Sequence, residues 1–344
     1  MRLIGQPTQL EHMIDRTCFD IFYHVPRLDF LHGHQIPSKE LASRLLFTTQ
    51  EHQSTQWSPS SSFVLFCLRP LFVRITALST SQISSFKPFT LYASTGYCNP
   101  STTINWSCGS NCQANPTFKP VASGGDGDDV QFWFVGFDPT LKTVIVSHQG
   151  TDTSQIEPIL TDGDIITETL DSTLFPGISS DIEVHSGFAK AQSLAANDVL
   201  AAVKTAISSF KATQVTIVGH SLGGAIALLD SVFLPLHISG VSFKTVTYGM
   251  PRVGNQAFAN YVDAHVTSLT HINNKEDFVP ILPGRFLGFH HPSGEVHIMD
   301  NNQWVSCPGQ DNTSAECTVG DVPNIFDGTE SDHDGPYDGI AMGC

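Results

Sequence analysis

The stretch Gln214-Val215-Thr216-Ile217-Val218-Gly219-His220-Ser221-Leu222-Gly223-Gly224 decides how the rest of the chain is read. Val215 to Val218 are four β-branched residues in a row, the composition of a buried strand. Gly219 to Gly223 form a G-x-S-x-G pentapeptide, and Ala225-Ile226-Ala227-Leu228-Leu229 continues as a buried helix. Strand, sharp turn and helix together make this pattern a nucleophile elbow with Ser221 at its strained tip. Gly219 and Gly223 flank it where side chains would crowd strand against helix. A helix that begins right after Ser221 turns its positive end toward any anion forming there. A chance match in a loop would lack both flanks.

Working outward, Val130 to Phe137 and Thr143 to Ser147 read as strands joined by Asp138-Pro139-Thr140. Ser81 to Phe86 opens a helix. His185-Ser186-Gly187-Phe188 starts a long helix that runs to about Phe210, with Val199, Val203, Ile207 and Phe210 as its buried stripe. Past the elbow come a strand over Phe243 to Tyr248, a helix over Ala257 to His265 and a strand over Leu269 to Asn273. From Phe278 on, Pro and Gly dominate, and the end, Asp332 to Tyr337, reads as a loop and short-turn segment. Strands alternating with helices predict a mostly parallel sheet with helices on both faces, and function at the C-terminal ends of the strands.

Composition bounds the rest. The chain has 344 residues and a formal charge of -16, which argues against nucleic acid and anionic membrane surfaces as partners. The charge is uneven: residues 1–90 hold 8 basic and 6 acidic side chains, the remainder 9 and 27. Residues 1–78 also lack periodicity, so the sequence divides into an N-terminal extension, 1–78, and a domain, 79–344. The extension reads as a gene-model artefact or an unprocessed leader, with a real extension as the rival. No stretch reaches the roughly 18 apolar residues of a membrane span, and the first residues do not read as a signal peptide. Eight cysteines and the sequons Asn105-Trp106-Ser107 and Asn312-Thr313-Ser314 nevertheless point to an oxidising, secretory compartment. A metal site at Cys108-x3-Cys112 lacks the second close Cys/His pair. A calcium loop at Gly124 to Asp129 lacks the spaced ligands of an EF-hand, so a surface turn is expected there. No metal or cofactor is expected.

A serine hydroxyl needs a base within hydrogen-bond reach and a carboxylate to orient that base. On this fold the acid and then the histidine follow the serine in the chain. The candidate acids are Asp230, Asp263, Glu276, Asp277, Glu295 and Asp300. Asp230 and Asp263 fall inside helices, where an exposed-face carboxylate is the plain reading. Asp277 lies just past a strand end, where a site carboxylate belongs. The candidate bases are His237, His265, His271, His290, His291, His297 and His333. His271 sits within a strand and reads as a core residue; His290, His291 and His333 stay open. An oxyanion needs two N–H donors. The amide of Leu222 supplies one, and Thr151, after the strand ending at Ser147, is placed for the other, with Asp152 the weaker candidate beside it. Directly after it, Ile156, Ile159 and Leu160 share one side of a short helix, with Ser154-x-x-Glu157 as a capping box.

Taken together, Gly219-His220-Ser221-Leu222-Gly223-Gly224, Gly150-Thr151, His185-x-Gly187-Phe188, Tyr248-Gly249-x-Pro251-Arg252-Val253-Gly254, Asn274-x-x-Asp277-x-Val279-Pro280 and Asp332-His333-x-Gly335-Pro336-Tyr337 resemble the filamentous-fungal class 3 lipases. The resemblance covers about Ser79 to Cys344. It implies an α/β-hydrolase fold with a short helical lid carrying Ile156, Ile159 and Leu160. It implies a triad of Ser221, Asp277 and His333 and an oxyanion hole from Thr151 and Leu222. It also implies disulfides Cys98–Cys344, Cys108–Cys112 and Cys307–Cys317, leaving Cys18 and Cys67 unpaired. The expected protein is a secreted, monomeric serine hydrolase that takes acylglycerols or other esters at a lipid–water interface. The alternatives are a feruloyl or other soluble-ester esterase of the same family, and a hydrolase-fold binding protein without activity. The apolar lid residues favour the lipase.

Overall fold

The structure is a computed structural model and describes residues 74–151 and 166–344. The chain divides at Leu68/Arg69, and everything below concerns the second unit. Asp152, Ile156, Ile159 and Leu160, like Cys18 and Cys67, lie outside the described residues.

A nine-stranded sheet carries the domain. In chain order its strands are β1 (Thr76–Ala77), β2 (Lys119–Gly124), β3 (Trp133–Asp138), β4 (Thr143–His148), then β7 (Gln214–His220), β8 (Ser242–Tyr248), β10 (Leu269–Asn274), β12 (Glu295–Ile298) and β13 (Trp304–Cys307). Between them fall β5 (Thr167–Thr169), β6 (Glu183–His185), β9 (Gly254–Asn255) and β11 (Phe289–His290), which make a second, four-stranded sheet. The large sheet runs β1-β13-β12-β10-β8-β7-β4-β3-β2. Its five central strands, β4, β7, β8, β10 and β12, are parallel, and antiparallel pairs close both edges.

Strands buried on both faces need apolar residues at consecutive positions, and β4 and β7 have them. Alternation then assigns the faces. Val144, Val146, Val215 and Ile217 join one core cluster; Ile145 and Val218 join another. Helix α1 (Thr80–Thr95) covers the second face with Phe89, Tyr92 and Ala93. Ser79 starts it with a capping box: its Oγ accepts from the Gln82 amide while Gln82 Oε1 accepts from the Ser79 amide. Two short helices follow, α2 (Pro100–Thr103) and α3 (Gly109–Ala114). The first face is covered by α4 (Ser186–Phe210), with Phe188, Val199 and Val203 buried, and by the elbow helix α5 (Leu222–His237). Each such apolar side chain contributes about 1.5–3 kcal/mol when fully buried. Helix α6 (Gln256–His265) lies where the sequence places it.

Three readings need correction. The first hairpin strand starts at Trp133 and not Val130, because Asp126 Oδ1 accepts from the amides of Asp128 and Val130 and closes a turn there. The region after Phe278, read only as rich in Pro and Gly with no strand assigned, supplies β12 and β13, two strands of the main sheet each too short for a period to register. Asp230 is not on an exposed face; it is 1% exposed. The disulfides Cys98–Cys344, Cys108–Cys112 and Cys307–Cys317 are all formed.

Candidate active site

The elbow joins β7 to α5. Ser221 adopts φ 58°, ψ -128°, a region that L residues rarely occupy and that costs about 1–3 kcal/mol. Its two glycines are required by contact. A Cβ on Gly219 would stand 2.0 Å from the Gly223 carbonyl oxygen, and one on Gly223 would stand 2.4 Å from the His148 carbonyl oxygen. The Ser221 amide donates to the Tyr248 carbonyl at 2.9 Å, which locks the elbow onto the end of β8. Leu222 is the first residue of α5, so its amide has no acceptor within the helix. Gly150 runs beside it: a Cβ there would meet the His220 carbonyl oxygen at 2.7 Å and Ser221 Cβ at 3.0 Å. Thr151 follows directly.

Asp277 lies three residues past β10 and His333 near the C-terminus, both fully buried. His333 Nδ1 is 2.9 Å from Asp277 Oδ2, and Asp277 Oδ1 accepts from the Val279 amide at 2.9 Å. A carboxylate can only accept when ionised, so Nδ1 carries the proton and Nε2 presents a bare lone pair. His333 Nε2 and Ser221 Oγ are both buried and both without a hydrogen-bond partner. The bond between them is therefore not made in this structure, as is common in free serine hydrolases, where it tightens on substrate binding.

His220, the variable residue inside the pentapeptide, has a role that the sequence reading missed. Its ring lies 4.4 Å from that of His333, centroid to centroid. Burial, and then the neighbouring His333, push its pKa well below the usual histidine value, so it is neutral. Its Nε2 is 2.8 Å from the His333 carbonyl, which can only accept, so Nε2 donates and Nδ1 accepts from the Tyr97 hydroxyl at 2.6 Å. The same His333 carbonyl accepts from the Tyr337 hydroxyl at 2.9 Å. Asn274 Nδ2 donates to the Asp332 carbonyl at 2.9 Å. The histidine-bearing loop is thus fastened to the elbow, to the end of β10 and to its own next turn. Tyr337 and Asn274 stand in the quoted motifs; Tyr97 carries no local signal.

The other candidates go elsewhere. His291 is 2.8 Å from the Pro280 carbonyl through Nε2 and stacks on His271 at 4.9 Å. His297 bonds the Glu316 and Lys275 carbonyls. Glu295 accepts from the Thr318 amide, Asp263 from Ser293, and Glu276 from the Thr329 hydroxyl. Asp230 pairs with His148.

A serine at positive φ between a parallel strand and a helix, with an Asp–His pair following in chain order, defines an α/β-hydrolase of the serine hydrolase class. Comparison with known proteins narrows this. The family model for lipase (class 3) matches residues 145–287. A secreted mono- and diacylglycerol lipase of Malassezia globosa is 36% identical over 197 residues, 56% of this chain and 63% of its own length. A second from the same organism is 33% identical over 230 residues, 61% of this chain and 72% of that protein. Among solved structures, a triacylglycerol lipase whose catalytic centre is a serine protease triad superposes with a TM-score of 0.67 at 28% identity, over 78% of this chain and 98% of that one. The chain belongs to the class 3 lipase family.

Proposed function

We propose that the protein hydrolyses acylglycerol esters through an acyl-enzyme on Ser221. The observation that carries this is the buried His333–Asp277 bond, with its free Nε2 on the loop that His220 ties to the elbow. His333 Nε2 takes the Ser221 hydroxyl proton as Oγ attacks the acyl carbonyl carbon. The carbonyl oxygen becomes an oxyanion and receives the amides of Leu222 and Thr151, each worth about 3–4 kcal/mol of barrier. His333 then gives its proton to the departing glycerol oxygen, and the C–O bond breaks. Water, deprotonated by His333, releases the fatty acid in a second passage through the same geometry. Asp277 holds the tautomer and stabilises the imidazolium between these steps.

Both sequence relatives described above are mono- and diacylglycerol lipases, which supports partial acylglycerols as the first substrates to examine. They are also secreted proteins. Three disulfides support the same placement for this chain. Among the described residues no helix is long and apolar enough to cross a membrane. The test is a set of rates on diolein, triolein, p-nitrophenyl butyrate and methyl ferulate. Hydrolysis of the glycerides that Ser221→Ala removes supports the reading. A preference for methyl ferulate over every glyceride would replace it with the esterase.

A further inference from the structure

A second Asp–His pair lies beside the elbow, and the triad does not use it. His148 closes β4, two residues ahead of Gly150-Thr151, and is 2% exposed. Its Nε2 is 2.8 Å from Asp230 Oδ2, on the third turn of the elbow helix α5. The other carboxylate oxygen, Oδ1, accepts from Gln192 Nε2 at 2.9 Å, on α4. Asp230 and Gln192 are each 1% exposed. Three elements are therefore joined inside an otherwise apolar core by one chain of side chains.

The backbone that this chain holds is the approach to the proposed oxyanion donor. The His148 and Gln149 carbonyl oxygens pack on Gly223, where a Cβ would stand 2.4 and 2.7 Å from them. Gly150 touches Ser221 in the same way. In the sheet His148 pairs with Gly219, at the base of the elbow. The segment 148–150 thus lies against the nucleophile turn, Thr151 follows it directly, and the His148–Asp230 bond ties it to α5.

Stability alone does not explain such an arrangement. Replacing a buried polar network by apolar side chains of similar volume is often neutral or stabilising. Hydrogen bonds are directional, however, and hold orientation where apolar packing tolerates a small slip. An oxyanion donor is sensitive to such a slip, since a misplacement of about 1 Å can cost about 100-fold in rate. We propose that His148 and Asp230 are positioning residues that set the Thr151 amide against the oxyanion, with Gln192 orienting the carboxylate. This rests on the reading of Thr151 as a donor.

The test is the paired change His148→Phe with Asp230→Leu, which removes both polar groups together and keeps the core filled. Asp230→Asn is the second variant, in case the pair does not fold. Folding is checked by near-UV circular dichroism. The readouts are kcat and KM on p-nitrophenyl butyrate and the affinity for an alkylboronic acid. Its boron takes the electron pair of Ser221 Oγ while His333 takes the hydroxyl proton, leaving an anionic tetrahedral boronate with one of its hydroxyl oxygens in the oxyanion hole. The expected result is a fall in kcat of about 10- to 100-fold, part of the 10²–10³ that a whole donor is worth. Boronate affinity should fall in step, with KM within about twofold of wild type. A folded variant whose kcat and boronate affinity both stay within about threefold of wild type overturns the proposal. Ser221→Ala in the wild-type background tests the nucleophile separately, so loss of activity there with an unaffected pair variant refutes the positioning role alone.

Discussion

His291 should make the folded protein sensitive to mild acid. The imidazole is buried, and its pKa is lowered to about 3, first by desolvation and then by the adjacent His271. Nε2 must donate to the Pro280 carbonyl, so a second proton would have to sit on Nδ1, which has no acceptor. Asp311 and Arg252 also face it and act in opposite directions. In the unfolded chain the ring titrates near 6.5. Between about pH 6.5 and about pH 3 the unfolded state therefore holds one proton more than the folded state. Stability from this group is complete above pH 6.5 and falls by about 1.4 kcal/mol for each unit of pH below it. From pH 6.5 to 5 the loss is about 2 kcal/mol. His271, buried with Nε2 on the Pro292 carbonyl and Nδ1 unpartnered, acts in the same direction. The assay is urea unfolding at pH 8, 6.5, 5.75 and 5 for wild type and His291→Phe, which keeps an aromatic ring against His271. The wild-type curve should steepen below pH 6.5 by about 1.4 kcal/mol per unit relative to the variant. Parallel curves would refute the argument, since His271 is kept in both proteins and His291 alone differs.

Ser221→Ala should lower kcat about 10⁶-fold with the fold intact. His333→Ala should be comparably severe, and His291→Ala should leave kcat at neutral pH within a few-fold; the reverse order would unseat His333 as the base. Of the disulfides, Cys98–Cys344 spans 246 residues and Cys108–Cys112 only 4. Loop entropy gives about 5 kcal/mol for the first and about 2 for the second, so Cys98→Ser should lower the urea midpoint more than Cys108→Ser, and equal shifts would contradict the loop argument. On the sequence alone, we propose that Ile156, Ile159 and Leu160 form the apolar side of a lid. Changing all three to Ser should raise activity on dissolved esters relative to emulsified triolein, and an unchanged ratio counts against it.

The elements legible in the sequence are those whose pattern is local and repeated. The β-branched run 215–218, the run in β4 and the apolar stripe of α4 each announce an element, and their order announces the parallel sheet. The place of Asp277 just past a strand end was also readable, and the structure sets it beside His333. What stayed hidden depends on contacts between distant residues. Strand β12 is only Glu295-Val296-His297-Ile298, and its place beside β10 is set by pairing. Asp230 reads as a surface residue until His148, 82 positions earlier in the chain, is brought to it. The tie from Tyr97 through His220 to His333 joins residues from opposite ends of the domain, and no spacing rule encodes it.

The backbone of Ser221 carries a consequence for how this site persists over generations. Its positive φ is a conformation that glycine adopts freely and serine does not. A change of Ser221 to glycine would therefore relieve strain on the order of 1–3 kcal/mol, offset by the roughly 0.5–1 kcal/mol of extra conformational entropy that glycine loses on folding. That gain is a sizeable share of the 5–15 kcal/mol by which domains are typically stable. On the proposed reading of Ser221 as the nucleophile, the advantage of turnover holds a hydroxyl at this position against that gain. Replacing Ser221 in turn by glycine and by alanine and comparing melting temperatures would measure the size of that gain directly, without any substrate in the tube.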